Sequence, residues 1–188
     1  ADELKAHLDG MVANGVRLGQ LEGKTYGLAY VFSTPILFYN ATLFREAGLD
    51  PDAPPSTWDE VAAAATAIHE RTGKTGLLTG IFGSSAGDWL FQGIIRSAGG
   101  HILSDDRKTL LFDSPEAVAG LTTLRNIART GAMEPTFDTP AIEAMASGNV
   151  GIYLQTSAVQ NTLLRGAGDR WELRSAVMPT FGDLPARP

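Results

Sequence analysis

The segment Gly83-Ser84-Ser85-Ala86-Gly87 has the spacing G-x-S-x-G, the pattern of a nucleophile elbow in which Ser85 would attack a carbonyl carbon. Its surroundings suit that chemistry, because an apolar run at 76–82 precedes it and an amphipathic run at 88–98 follows it. The partners do not. An enzyme of this kind needs an acid and then a histidine further along the chain. Only His101 follows Ser85, so the acid would have to be Asp88, and the three groups fall too close together in sequence to be carried by separate strands. A second string, Gly73-Lys74-Thr75, resembles the tail of a phosphate-binding loop. The earlier glycine that such a loop requires is replaced by Ile68, and the order of helix then strand is reversed. His7, His69 and His101 are far apart, lack ligand spacing and read as surface residues. The chain has no cysteine, which excludes thiol nucleophiles and disulfides. No metal or cofactor is expected.

The remaining chemistry lies in polar residues at predicted strand ends. Ser84, Ser85 and Asp88 stand at one strand-to-helix junction, and Thr156, Ser157 and Asn161 at another. In open α/β sheets, ligands bind beyond the carboxyl ends of strands, where helix N-termini present free N–H groups. Two such junctions can form one wall of a pocket for hydroxyls or an anion. Equally, serine and threonine at these places can cap helices with no ligand involved.

The elements that must position these residues follow from periodicity and turn chemistry. Residues 26–40, YGLAYVFSTPILFYN, are rich in strand formers, but Pro35 cannot donate to a ladder and biases Thr34 towards extended backbone. The pattern predicts two short strands joined by a polar step at Ser33 and Thr34. Asn40 is placed to cap a short helix, Thr57 and Glu60 form a capping box, and Ser114-Pro115 and Thr139-Pro140 each open a helix. Residues 76–82, 150–154 and 174–179 are the further predicted strands, and a helix is expected from about Thr156 to Leu164. Strands alternating with helices argue for an α/β fold.

The bulk composition bounds the function. With 188 residues the chain can bury one sizeable core. A net charge of −6 without any basic block argues against nucleic acid as a partner. No run of 18 apolar residues is present, so nothing is expected to span a membrane. The first residues, ADELKAHLDG, lack the apolar core of a signal peptide.

The order of short motifs resembles a known family. Gly23 to Gly27 reads Gly-Lys-x-Tyr-Gly, Tyr39-Asn40 ends a strand, Ala47 to Pro51 reads Ala-Gly-Leu-Asp-Pro, and Pro55 to Glu60 reads Pro-x-Thr-Trp-Asp-Glu. With the segments 114–135, 145–158 and 176–188, this set is similar to family 1 of the extracellular solute-binding proteins of ABC importers, in its maltose-binding and glycerol-3-phosphate-binding branches. The resemblance implies an α/β fold, one lobe of a type II periplasmic-binding-protein fold, with a mixed, mostly parallel sheet flanked by helices. It implies that residues 1–28 are a stub of the first lobe leading to the hinge, that 29–180 form the second lobe without its C-terminal helices, and that 181–188 are the return crossing. Ser33, Trp89 and Ser157 are then ligand contacts, with Thr34, Ser84, Ser85, Asp88 and Thr156 beside them. The implied partners are a sugar, polyol or glycerophosphate-type solute and the permease subunits of an ABC importer. The implied location is periplasmic, or extracellular with a lipid anchor. Ala86 stands where the glycerol-3-phosphate branch carries a further tryptophan, and Ala158 where the maltose branch places an aromatic residue.

Overall fold

The backbone changes partners after Ser33. A computed structural model describes residues 2–82, 87–136 and 138–184, and the chain forms two compact units, 1–33 and 34–188. The first unit holds helices α1 (Asp2–Asp9) and α2 (Ala13–Leu18) and the two-residue strands β1 (Gln20–Leu21) and β2 (Lys24–Thr25). These strands pair antiparallel around Glu22 and Gly23, both at positive φ, 51° and 76°, as a tight hairpin turn requires. Residues 26–34 carry no regular secondary structure. The strand predicted ahead of the Ser33-Thr34 step is therefore not formed, and Tyr30 is 97% exposed. Strand-forming composition favours extended backbone, but a strand also needs a neighbour to complete its ladder.

The second unit begins with β3 (Pro35–Asn40), followed by α3 (Ala41–Glu46), α4 (Trp58–Thr72), β4 (Thr75–Thr79), α5 (Gly87–Ser97), α6 (Pro115–Arg129), α7 (Asp138–Ala146), β5 (Val150–Thr156), a 3-10 turn over Ser157–Val159, α8 (Gln160–Ala167) and β6 (Leu173–Ala176). Its helices start where the local signals put them. Asn40 Oδ1 accepts from Leu43 N–H at 3.0 Å. Thr57 and Glu60 complete a reciprocal capping box, and Ser114 caps α6 ahead of Pro115. The helix α7 starts one residue before the expected Thr139 cap, at Asp138. The helix expected from Thr156 is instead a 3-10 turn that leads into α8.

The sheet order is β4-β5-β3-β6. Within this sheet, among the described residues, β4 and β5 run parallel, whereas β3 is antiparallel to both β5 and β6. The sheet is mixed, as expected, but it is not mostly parallel. The reason is that β3 enters the sheet centrally and in the opposite sense to both its neighbours. One face carries α3, α4 and α6 over a core that includes Leu37, Trp58, Ile68, Ile94, Ile127 and Leu154. The other face carries α7 and α8 over Phe38, Met145, Tyr153, Leu163 and Trp171. Each fully buried side chain of this size contributes roughly 1.5–3 kcal/mol by leaving water, so the two clusters hold the sheet rigid between its helix layers.

Candidate functional site

The strand directions gather four backbone ends at one edge of the sheet. The carboxyl ends of β4 and β5, the start of β3 and the end of β6 all meet there, because β3 is antiparallel to its neighbours. Pro35 faces Thr156 across the ladder. Proline is tolerated at the first residue of a strand, where its missing N–H interrupts the ladder least. Just before it, Thr34 N–H donates to Ser157 Oγ at 3.2 Å, and Ser157 N–H donates to Thr34 carbonyl oxygen at 2.9 Å. Thr156 Oγ1 accepts from Ala158 N–H at 3.2 Å and caps the 3-10 turn. Thus Thr34 is brought to Thr156 and Ser157 at this edge, although 123 positions separate it from Ser157. Thr34 is exposed, and Thr156 and Ser157 are half-buried.

Asp88 and Trp89 lie in the first turn of α5, which follows β4. Asp88 is exposed and Trp89 half-buried. A Cβ placed on Gly93, four residues after Trp89 and so on the same helix face, would stand 3.6 Å from Pro35 Cγ. This close approach seats α5 against the start of β3 and puts Trp89 one turn nearer the helix N-terminus. Ser33 is the last residue of the first unit and is exposed. Ser84 and Ser85 lie outside the described residues.

The residues that sequence reasoning missed are Gln155, Tyr153, Thr79 and Gly80. Gln155 is 1% exposed; its Nε2 donates to Tyr153 Oη at 3.0 Å and its Oε1 accepts from Thr156 N–H at 2.9 Å. The available signal was a single amide at the end of the apolar run VGIYL. The charged network of the lobe lies elsewhere. Arg174 pairs with Asp52 and Glu172, and Glu172 also pairs with Arg45, around the opposite end of β3, where Asn40 pairs with Leu173. The hydrogen bonds from Arg45 and Arg174 hold the Glu172 carboxyl below its ordinary value.

Asp88 lies in the first turn of α5, and His101 follows the helix after the turn at Gly99 and Gly100. Among the described residues there is no cluster of histidine and carboxylate groups able to hold a metal, and no helix long and apolar enough to cross a membrane.

A mixed sheet between two helix layers, with hydroxyls gathered at one edge, is the architecture of one lobe of a periplasmic binding protein. The cyclic α-maltosyl-1,6-maltose binding protein of Arthrobacter globiformis superposes with a TM-score of 0.76 at 28% identity, over 96% of this chain and 46% of that one. UgpB of Mycobacterium tuberculosis, solved in complex with glycerophosphocholine, superposes with a TM-score of 0.81 at 23% identity, over 98% of this chain and 48% of that one. The sn-glycerol-3-phosphate-binding periplasmic protein UgpB of Escherichia coli (strain K12) is 30% identical over 106 residues, 53% of this chain and 23% of that protein. The chain thus spans about half of each solved structure, and less of the curated relative. The model of the bacterial extracellular solute-binding proteins matches residues 4–170, and the chain belongs to that family, one of binding proteins.

Proposed function

We propose that this chain is the second-lobe part of the solute-binding component of an ABC importer, which takes up a polyhydroxyl solute in a cleft between lobes and delivers it to a membrane permease from a periplasmic or lipid-anchored extracellular position. In this reading residues 1–28 lead from the first lobe, 29–180 form the second and 181–188 begin the return. The observation that carries it is the polar edge built by Thr34, Thr156 and Ser157, with α5 seated on Pro35 beside it. Hydroxyls there accept and donate hydrogen bonds, Asp88 accepts from solute hydroxyls, and the Trp89 indole offers a flat face to a sugar ring. Ser33, Ser84 and Ser85 complete the proposed contacts. Among Ser33, Thr34, Asp88, Trp89, Thr156 and Ser157 there is no lysine or arginine. That composition supports a sugar or polyol, or the glycerol end of a glycerophosphate, over direct clamping of a phosphate by this lobe.

The test is a titration of the isotope-labelled chain with maltose, sn-glycerol-3-phosphate and glycerophosphocholine, followed by amide and indole resonances. One lobe offers half of the cleft contacts, so binding on the order of millimolar Kd is expected. The resonances of Thr34, Trp89, Thr156 and Ser157 should move with at least one of these solutes. Saturating shifts confined to other surfaces, or none with any solute, would overturn the assignment.

A further inference from the structure

We infer that Gln155 is a positioning residue whose buried amide sets the geometry of the polar edge. The run Val150 to Leu154 is apolar and buried, and a primary amide at its end must find partners or incur a desolvation cost. Gln155 finds them locally. Its two ends bridge Tyr153 Oη, within the second core cluster, and Thr156 N–H, at the edge itself. Its amide occupies the space that a side chain would take at Gly80. A Cβ built on Gly80, the residue after β4, would stand 2.2 Å from Gln155 Nε2, while Gly80 N–H donates to Leu154 carbonyl oxygen at 3.1 Å. The amide therefore lies across the seam between the ends of β4 and β5.

This matters because the regular ladders of β5 with β4 and with β3 end there. Thr156 faces Pro35, which has no N–H to give. Side chains accept the backbone N–H groups on either side of this pair: Gln155 Oε1 accepts from Thr156 N–H, and Ser157 Oγ accepts from Thr34 N–H. Gln155 thus fixes the backbone that presents the Thr156 and Ser157 hydroxyls without itself reaching the surface. Its consequence for solute affinity rests on the binding role proposed above.

Amide hydrogen exchange of the whole 188-residue chain separates this positioning role from a general one in stability. Gln155→Leu removes the hydrogen bonds to Tyr153 Oη and from Thr156 N–H, and exchange at Thr156 and Ser157 should become at least about tenfold faster, in keeping with the loss of a hydrogen bond. Leu77 and Ile127, in the other core, should keep their wild-type rates. Gln155→Glu retains an acceptor for Thr156 N–H and should restore most of the protection. Gly80→Ala displaces the amide without altering Gln155 and should reproduce the Gln155→Leu pattern. Unchanged protection at Thr156 and Ser157 in Gln155→Leu, or a uniform acceleration that includes Leu77 and Ile127, overturns the positioning role. The binding arm uses maltose and sn-glycerol-3-phosphate. Binding by wild type that Gln155→Leu weakens at least about tenfold supports the inference, and equal binding by both overturns it. Failure of wild type to bind either probe counts against the proposed function and the inferred effect on affinity, while the exchange result still decides the geometry.

Discussion

Thr34 and Ser157 exchange two hydrogen bonds although they are separated by 123 positions in sequence. One is backbone to backbone and holds the chain regardless of side chain. The other is accepted by the serine hydroxyl and ties that hydroxyl to a set direction. Ser157→Ala should therefore lower stability by only about 0.5–1.5 kcal/mol, the net worth of one such bond, while removing a proposed solute contact. Urea denaturation and maltose titration of the same variant check this. A large stability loss with unchanged affinity would mark Ser157 as purely structural.

The acid limb of stability should be carried in part by Glu60 and Glu172. Both carboxyls lie below the ordinary glutamate value of 4.5. Glu60 does so chiefly because Ser56 N–H, the Ser56 hydroxyl and Thr57 N–H bond to its carboxylate. Glu172 does so because of Arg45 and then Arg174. As pH falls, the unfolded chain takes up these protons first, so their contribution is complete above about pH 4.5 and is lost as pH drops through the lower folded values. Urea midpoints measured from pH 7 to 3 should fall on the acid side. The double variant Glu60→Gln, Glu172→Gln should show a shallower fall, and an identical slope would refute the assignment.

The turn at Ser104–Thr109 holds an arginine in a glycine conformation. Arg107 has φ of 59°, its N–H donates to Ser104 carbonyl oxygen at 2.8 Å, and Ser104 Oγ donates to Asp106 Oδ1 at 2.6 Å. Left-handed backbone costs an ordinary residue roughly 1–2 kcal/mol, partly offset by the greater unfolded-state freedom of glycine, about 0.5–1 kcal/mol. Arg107→Gly should thus raise stability by up to about 1 kcal/mol, and a β-branched residue such as Val at 107 should lower it. Thermal melts of the two variants check the sign.

The same contrast between local and distant causes explains what was legible in the sequence. The caps at Asn40, Thr57 and Ser114 act within three residues, so the sequence patterns that predict them are the structures that form. The α/β character followed from the alternation of such segments. The sense of β3 was not legible, because it depends on where Pro35 meets Thr156, a pairing across the whole lobe. Nor was the absence of a strand at 29–34, where Tyr30, Val31 and Phe32 have strand-forming side chains but no ladder. At the candidate site, Thr156 and Ser157 were marked by type, as hydroxyls at a strand end. Their junction with Thr34 was expected only through the resemblance. Gln155 escaped notice because strand alternation does not reveal that Gly80 leaves it a buried space.

Trp89 offers the sharpest separation of binding from packing. On α5, Leu90, Ile94 and Ile95 are all 0% exposed and already supply the core-facing side, while Trp89 is half-buried beside exposed Asp88. Gly93 lets the helix approach Pro35 and Met178 so closely that a Cβ would stand 3.1 Å from the Met178 sulfur. Trp89 therefore lies one turn before this tightly packed contact, in the first turn of the helix. A tryptophan embedded in a core costs about 3–5 kcal/mol when cut back to alanine. Trp89→Ala should cost about 1 kcal/mol or less, and should weaken binding of maltose by about 2 kcal/mol, roughly 30-fold, as buried aromatic contacts at recognition sites do. Urea denaturation gives the first quantity, and titration of wild type and variant under matched folded concentrations gives the second. A loss of several kcal/mol in stability with unchanged affinity per folded molecule would place the indole in the core and remove Trp89 from the site.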